Sequence, residues 1–189
     1  MNYFLIALTL IFTLIANSYY IVTIFRGQTK PHIYSWIIWA IINTIAVSIQ
    51  LEHNAKWGAL TLWVGLIICI IVSIISVWYG EKKITRFDTF SFIITLFIIP
   101  LWLVAKQDMI AMMLAIAMDA LSFIPTARKS FSKPHEENLL PYFASGTSFF
   151  ISIFLSQQKS LINILYPIVI CGVNFIFIGY IYLRRKTIK

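Results

Sequence analysis

Apolar stretches of membrane-crossing length recur along the chain, separated by short polar breaks. They fall at about Tyr3–Phe25, Ile33–Leu51, Trp57–Tyr79, Phe87–Ala105, Met109–Thr126, Leu139–Ser156 and Leu161–Leu183. Each approaches the roughly 20 residues that carry a helix across a ~30 Å hydrocarbon core. A lipid-facing barrel would show shorter segments of alternating polarity, so strands are excluded. The pattern predicts an all-α membrane protein with seven transmembrane helices. Only Lys106-Gln107-Asp108 divides the fourth stretch from the fifth.

Composition supports that reading. Of 189 residues, 60% are apolar, and the mean hydropathy is +0.85. A soluble domain of this size keeps a largely polar surface and has nowhere to hide so much apolar area. The first stretch lacks a basic leader and a clear cleavage site, so it reads as a retained helix rather than a signal peptide.

The net charge of +8 sorts by side. Loops on the side of the N-terminus carry three lysines, Lys56, Lys106 and Lys159. The opposite side carries twelve basic residues, among them Arg26, Lys30, Lys82, Arg128, Lys133 and Arg184. Basic residues in short loops mark the cytoplasmic face. This places the N-terminus outside and the C-terminus in the cytoplasm, and makes the lipid bilayer the partner of the charge. No basic run outside the spans forms a platform for nucleic acid. The compact loops suit a bacterial inner membrane. Cys69 and Cys171 lie within apolar stretches and read as small buried side chains. They are too few for a zinc site, and no histidine spacing implies a metal. The expectation is no cofactor and no enzyme, because no catalytic dyad falls at one depth. Association of copies stays open.

The chain also repeats itself. A register shift of 103 carries Lys30-Pro31-His32 onto Lys133-Pro134-His135, Ile21 onto Ile124, Thr23 onto Thr126, Tyr79 onto Tyr182 and Lys83 onto Lys186. Stretches one to three map onto five to seven, and the fourth has no counterpart. Three crossings invert the chain, so a fourth is needed before a second bundle can run in the same sense. The predicted plan is a three-helix bundle over 1–83, a linker helix over 84–105 and a second, parallel bundle over 106–189.

That plan resembles the SWEET sugar transporters, the PQ-loop proteins and the PnuC vitamin transporters. The positions of the PQ-loop Pro-Gln pair are held here by Val22-Thr23 and Pro125-Thr126. Trp36-Ile37-Ile38-Trp39-Ala40-Ile41-Ile42-Asn43 is similar to the Trp-x-x-Trp-x-x-x-Asn helix of the PnuC family. The stretches around Gly80-Glu81-Lys82-Lys83 and Lys133-Pro134-His135-Glu136-Glu137 resemble uncharacterised bacterial membrane proteins. The resemblance implies a small molecule held between the bundles. It also implies that Asn174, in the third helix of a bundle, faces that site.

Residue chemistry supplies candidates of its own. Trp36, Trp39 and Asn43 are three and four residues apart and share a helix face. Two indoles and a carboxamide could stack a flat ligand and bond its edge. The plainer alternative is an aromatic belt for Trp36 and interhelical packing for the others. Asp119 is the one acid deep within a span. A carboxylate there must face inward and find a donor; Asn17, Ser122 or Thr126 would supply one structurally. Asn174 has the alternative of a modest helix–helix hydrogen bond. Pro125 reads as a hinge. Together these lead to a small-molecule transporter whose substrate the residues do not name, with Asn43, Asp119 and Asn174 converging on one cavity walled by Trp39. The alternative is a non-transporting membrane receptor or assembly factor of the same fold.

Overall fold

The computed structural model describes residues 3–52, 58–105, 107–155 and 161–188. The described residues form seven α-helices, one short 3-10 turn and no strand. The helices are α1 Tyr3–Phe25, α2 Ile33–Glu52, α3 Gly58–Tyr79, α4 Arg86–Val104, α5 Asp108–Ser132, α6 Leu140–Leu155 and α7 Leu161–Thr187, with the turn at Pro134–Glu136. Lys56, Lys106 and Lys159, whose charges define one face in the sequence, lie outside the described residues, as do the expected span ends Trp57 and Ser156.

Two helical segments, Arg86–Val104 and Ile164–Thr187, are long and apolar enough to cross a membrane. The molecule turns large apolar side chains outward: Phe97 is 69% exposed and Ile176 74%.

Local chemistry sets the helix ends. α1 stops where Gly27 enters the left-handed region at φ 70°. Its N–H returns to the carbonyl of Ile24 at 2.9 Å, and the N–H of Gln28 returns to that of Thr23 at 3.0 Å. That is the Schellman pair, which satisfies the last carbonyls of the helix. α4 begins with a capping box. Thr85 Oγ1 accepts from the Asp88 N–H at 3.2 Å, and Asp88 Oδ2 accepts from the Thr85 N–H at 2.8 Å.

Two expected ends move. The apolar run of the fifth stretch ends at Thr126, but α5 runs to Ser132, because polar residues continue a face that is buried. Pro125 lies inside this helix and does not interrupt it. It removes one backbone donor and no more than that is visible. α7 likewise passes Leu183 to Thr187, placing Arg184, Arg185 and Lys186 on its last turn, where cations meet the negative end of the helix dipole.

Helix α2 packs on α3, α6 on α7, α1 on α6, α2 on α5, α1 on α3 and α5 on α7. Shifting by 103 exchanges these pairs among themselves: α2–α3 with α6–α7, α1–α6 with α5–α2, and α1–α3 with α5–α7. α4 stands outside that exchange and packs on α5 and α2. At the centre five helices contribute an aromatic cluster. Trp36 meets Tyr20 at 5.3 Å between ring centroids and Trp39 at 5.2 Å. Phe123 meets Trp39 at 4.9 Å and Phe177 at 5.2 Å, and Tyr142 meets Phe177 at 4.8 Å. All six rings are buried.

Candidate functional site

Asp119 is buried in the middle of α5, and two donors from other helices hold its carboxylate. Trp39 of α2 donates its indole N–H to Oδ1 at 3.0 Å. Tyr166 of α7 donates its hydroxyl to Oδ2 at 2.7 Å. Each oxygen has one donor, and both donors are neutral. The group is hydrogen-bonded but not charge-paired, the costlier of the two ways to keep a carboxylate out of water. The carboxylate thereby joins α2, α5 and α7.

The companions expected from the sequence do other work. Ser122 donates to the backbone carbonyl of Asp119, not to its carboxylate, at 2.5 Å. Thr126 donates to Ser35 of α2 at 2.9 Å, and Asn17 returns its amide to the Thr13 carbonyl at 2.8 Å.

The remaining candidates separate into two sets. Trp39 stands beside Asp119, and Trp36 packs behind it against Trp39 and Tyr20; the Trp36 indole N–H is buried without a hydrogen bond. Asn43 donates to the carbonyl of Trp39 one turn back at 2.8 Å. Its side chain lies against Gly65 of α3, where an added Cβ would meet Asn43 Oδ1 at 3.2 Å. Asn174 donates to Ile170 one turn back at 2.8 Å and lies against Gly146 of α6, where an added Cβ would meet its own Cβ at 3.3 Å. Each asparagine thus fills a helix crossing opened by a glycine, one at α2–α3 and one at α6–α7. Among the described residues no hydrogen bond links either asparagine to Asp119. The repeat sharpens the comparison, because position 43 maps onto 146: asparagine stands in one half where glycine stands in the other.

A further buried polar centre is one that the sequence did not single out. Lys129 of α5 is 1% exposed. Its ammonium forms an ion pair with Glu137 and donates to the carbonyls of Lys30 at 2.7 Å and Glu136 at 3.1 Å. One buried cation therefore ties together both Lys-Pro-His loops. Glu137 Oε1 also accepts from the hydroxyls of Tyr20 at 3.0 Å and Tyr142 at 3.2 Å. A signal for Lys129 existed: Asp119, Ser122, Thr126 and Lys129 follow spacings of three, four and three, one continuous face of α5. Nothing in the sequence announces Tyr166, whose role depends on where α7 lies.

Further pairs close the same end. Lys30 bonds Glu136 at 2.8 Å, and that carboxylate raises the Lys30 ammonium above its ordinary range. Lys133 bonds Glu81 at 2.8 Å. Burial works to raise the Glu81 carboxyl, but Lys133 and the Lys83 N–H outweigh it and hold it below the ordinary 4.5. His32, in the loop before α2, is fully buried 3.5 Å from Asp88, and burial lowers its imidazole below 6.5 despite that neighbour. Comparison with protein-family models, with curated proteins and with solved structures finds no match to this chain.

Proposed function

We propose that the chain is an integral membrane protein that carries a small molecule between two parallel three-helix bundles, 1–83 and 106–189, with the helix of 84–105 as their linker. The observation that carries this reading is Asp119. A carboxylate held only by an indole and a phenol, where three helices of the two repeats meet, is expensive as a mere structural bond. It has a clear use if Trp39 and Tyr166 can release it to a passing polar ligand. The outward-facing Phe97, Ile176 and Trp78, the last 66% exposed, support a lipid-facing exterior. The exchange of helix contacts under the 103-residue shift supports the repeat, and the collection of basic residues at one end supports a cytoplasmic C-terminus. A bacterial inner membrane is the setting in which all of these fit.

The experiment is uptake into proteoliposomes from a panel of nucleosides, vitamins and sugars, with thermal shift of the detergent-purified protein on the same panel. A ligand raises apparent stability by mass action. Uptake of one compound, reduced at least tenfold by Asp119→Asn, is the expected result. A folded wild-type protein that is stabilised by none of the panel and moves none of it overturns transport.

A second reading has its own observation. The aromatic cluster packs the space between the halves, which suits a non-transporting receptor or assembly factor that keeps one closed conformation. Capture of a protein partner from a membrane extract, with no uptake, would decide for it.

A further inference from the structure

α4 covers one of two related furrows. It seats on α2 and α5, and at the basic end it lies over His32 and Tyr34. Asp88 stands 3.5 Å from His32 and bonds Arg128 at 2.5 Å. The Thr89 hydroxyl is 3.5 Å from that of Tyr34, on which Phe92 stacks at 4.4 Å. So α4 brings an anion to a histidine and an arginine, and an apolar face below them.

The shift of 103 carries α2 and α5 onto α6 and α1, His32 onto His135 and Tyr34 onto Glu137. Among the described residues no helix covers that second furrow. It is a cavity of about 470 Å³. Gln28, His135 and Arg185 line its polar end, and Tyr19, Phe143 and Ile178 its apolar wall. Arg185 commits only part of its fork, Nε to the Pro134 carbonyl at 3.0 Å and one amino group to the Glu137 carbonyl at 2.5 Å. A guanidinium has five N–H donors, so several remain for a ligand. Glu137, the one acid in the lining, turns its carboxylate inward to Lys129, Tyr20 and Tyr142. The furrow thus keeps the histidine of the α4 seat, with His135 Nε2 3.0 Å from the Ile188 carbonyl; it supplies an arginine of its own, since position 128 maps onto Phe25, and it lacks the anion.

We propose that this furrow binds an anionic phospholipid, with its phosphate at Arg185, His135 and Gln28 and an acyl chain against Tyr19, Phe143 and Ile178. Phosphate suits the planar donors of an arginine, and basic pockets between membrane helices at the cytoplasmic side accept anionic headgroups. A lipid accounts for more than a soluble anion does, because Tyr19 and Phe143 continue the apolar wall out to the exterior, where they are 50% and 46% exposed. The inference rests on the membrane reading and is independent of transport.

Alkaline carbonate extraction tests that foundation alone. Release of the chain into the soluble fraction overturns the membrane reading; retention leaves the lipid site to its own test. That test is thermal unfolding of delipidated full-length protein with phosphatidylglycerol, with phosphatidylcholine of the same acyl chains, or with inorganic phosphate. Phosphatidylglycerol in ~100-fold excess over its dissociation constant should raise the apparent Tm by roughly 5 °C, and the other two should not. Gln28 is exposed and its side chain makes no hydrogen bond among the described residues, so Gln28→Glu should fold normally and lose the shift. Ser132→Glu, with the same added charge outside the furrow, should keep it. Equal stabilisation by both lipids, stabilisation by phosphate alone, or the same response from both variants overturns the site.

Discussion

Asp119 shows how far a single residue type can be read. A lone acid in an apolar helix must be buried and bonded, and both follow from the sequence. Its partners do not, because Trp39 and Tyr166 reach it from helices whose rotation is set by packing. The donors predict its variants. Asparagine keeps an oxygen that can accept from Trp39, and its amide can donate to Tyr166, because a phenol oxygen accepts as well as donates. Asp119→Asn should therefore unfold within about 1 kcal/mol of the wild type. Alanine leaves a buried indole N–H and a buried hydroxyl unpaired, at about 1–3 kcal/mol each, so Asp119→Ala should melt clearly lower. Thermal unfolding in one detergent measures both. Equal melting of the two variants would show that the carboxylate is not held as described. The asparagines teach the complementary lesson. The sequence marks Asn43 and Asn174 as polar groups that must be satisfied, and each satisfies itself on its own helix against a glycine of the next. Polar satisfaction is local and cheap for an amide, so it does not by itself draw groups into one site.

At the scale of elements, the helix positions were legible and their ends less so. Hydropathy registers the apolar run, but α5 and α7 continue as helices after the run stops, because the added turns bury Lys129 or dock Arg185 on the Pro134 loop. The same effect hides His32. A histidine beside a proline in a polar break looks solvated, yet α4 lies over it. Its burial has a consequence for pH. The groups that face it are Asp88, Arg128 and Lys129, and the fold favours the neutral ring. The unfolded chain then binds a proton that the folded chain refuses, so stability falls as pH drops below 6.5. Glu81 adds a second step. Its lowered carboxyl contributes stability above 4.5, which is lost as acid protonates it. Melting temperature against pH should thus decline in two stages. His32→Phe should remove the upper stage and leave the lower, with little other loss, since neither ring nitrogen has a hydrogen bond. An unchanged upper stage in that variant would assign it to some other group.

On the scale of the whole molecule, the halves meet in two different ways. Near Asp119 the contact is aromatic, with one carboxylate and neutral donors. At the basic end it is ionic, and Lys129 binds the backbone of both Lys-Pro-His loops. A buried ion pair gains little net stability, whereas breaking one by removing a partner costs about 3–5 kcal/mol. What the geometry shows is attachment: the same ammonium holds the backbone of both loops. If the chain moves substrate by rocking one bundle against the other, these loops must part to open the basic end. The Lys30 N–H donates to the Glu136 carbonyl at 3.0 Å, so the two backbones lie side by side. The Lys30 ammonium also meets the Glu136 carboxylate at 2.8 Å, so the two side chains converge, as the partners of a disulfide must. The double variant Lys30→Cys and Glu136→Cys, with Cys69 and Cys171 replaced by alanine, should therefore cross-link under mild oxidation. The oxidised protein should lose uptake of any compound that the wild type moves, and reductant should restore it. Each single cysteine variant, which lacks the Lys30–Glu136 ion pair but cannot be bridged, should transport with or without oxidant. Complete cross-linking with undiminished uptake would show that the loops stay together through the cycle, and the path would then have to open elsewhere.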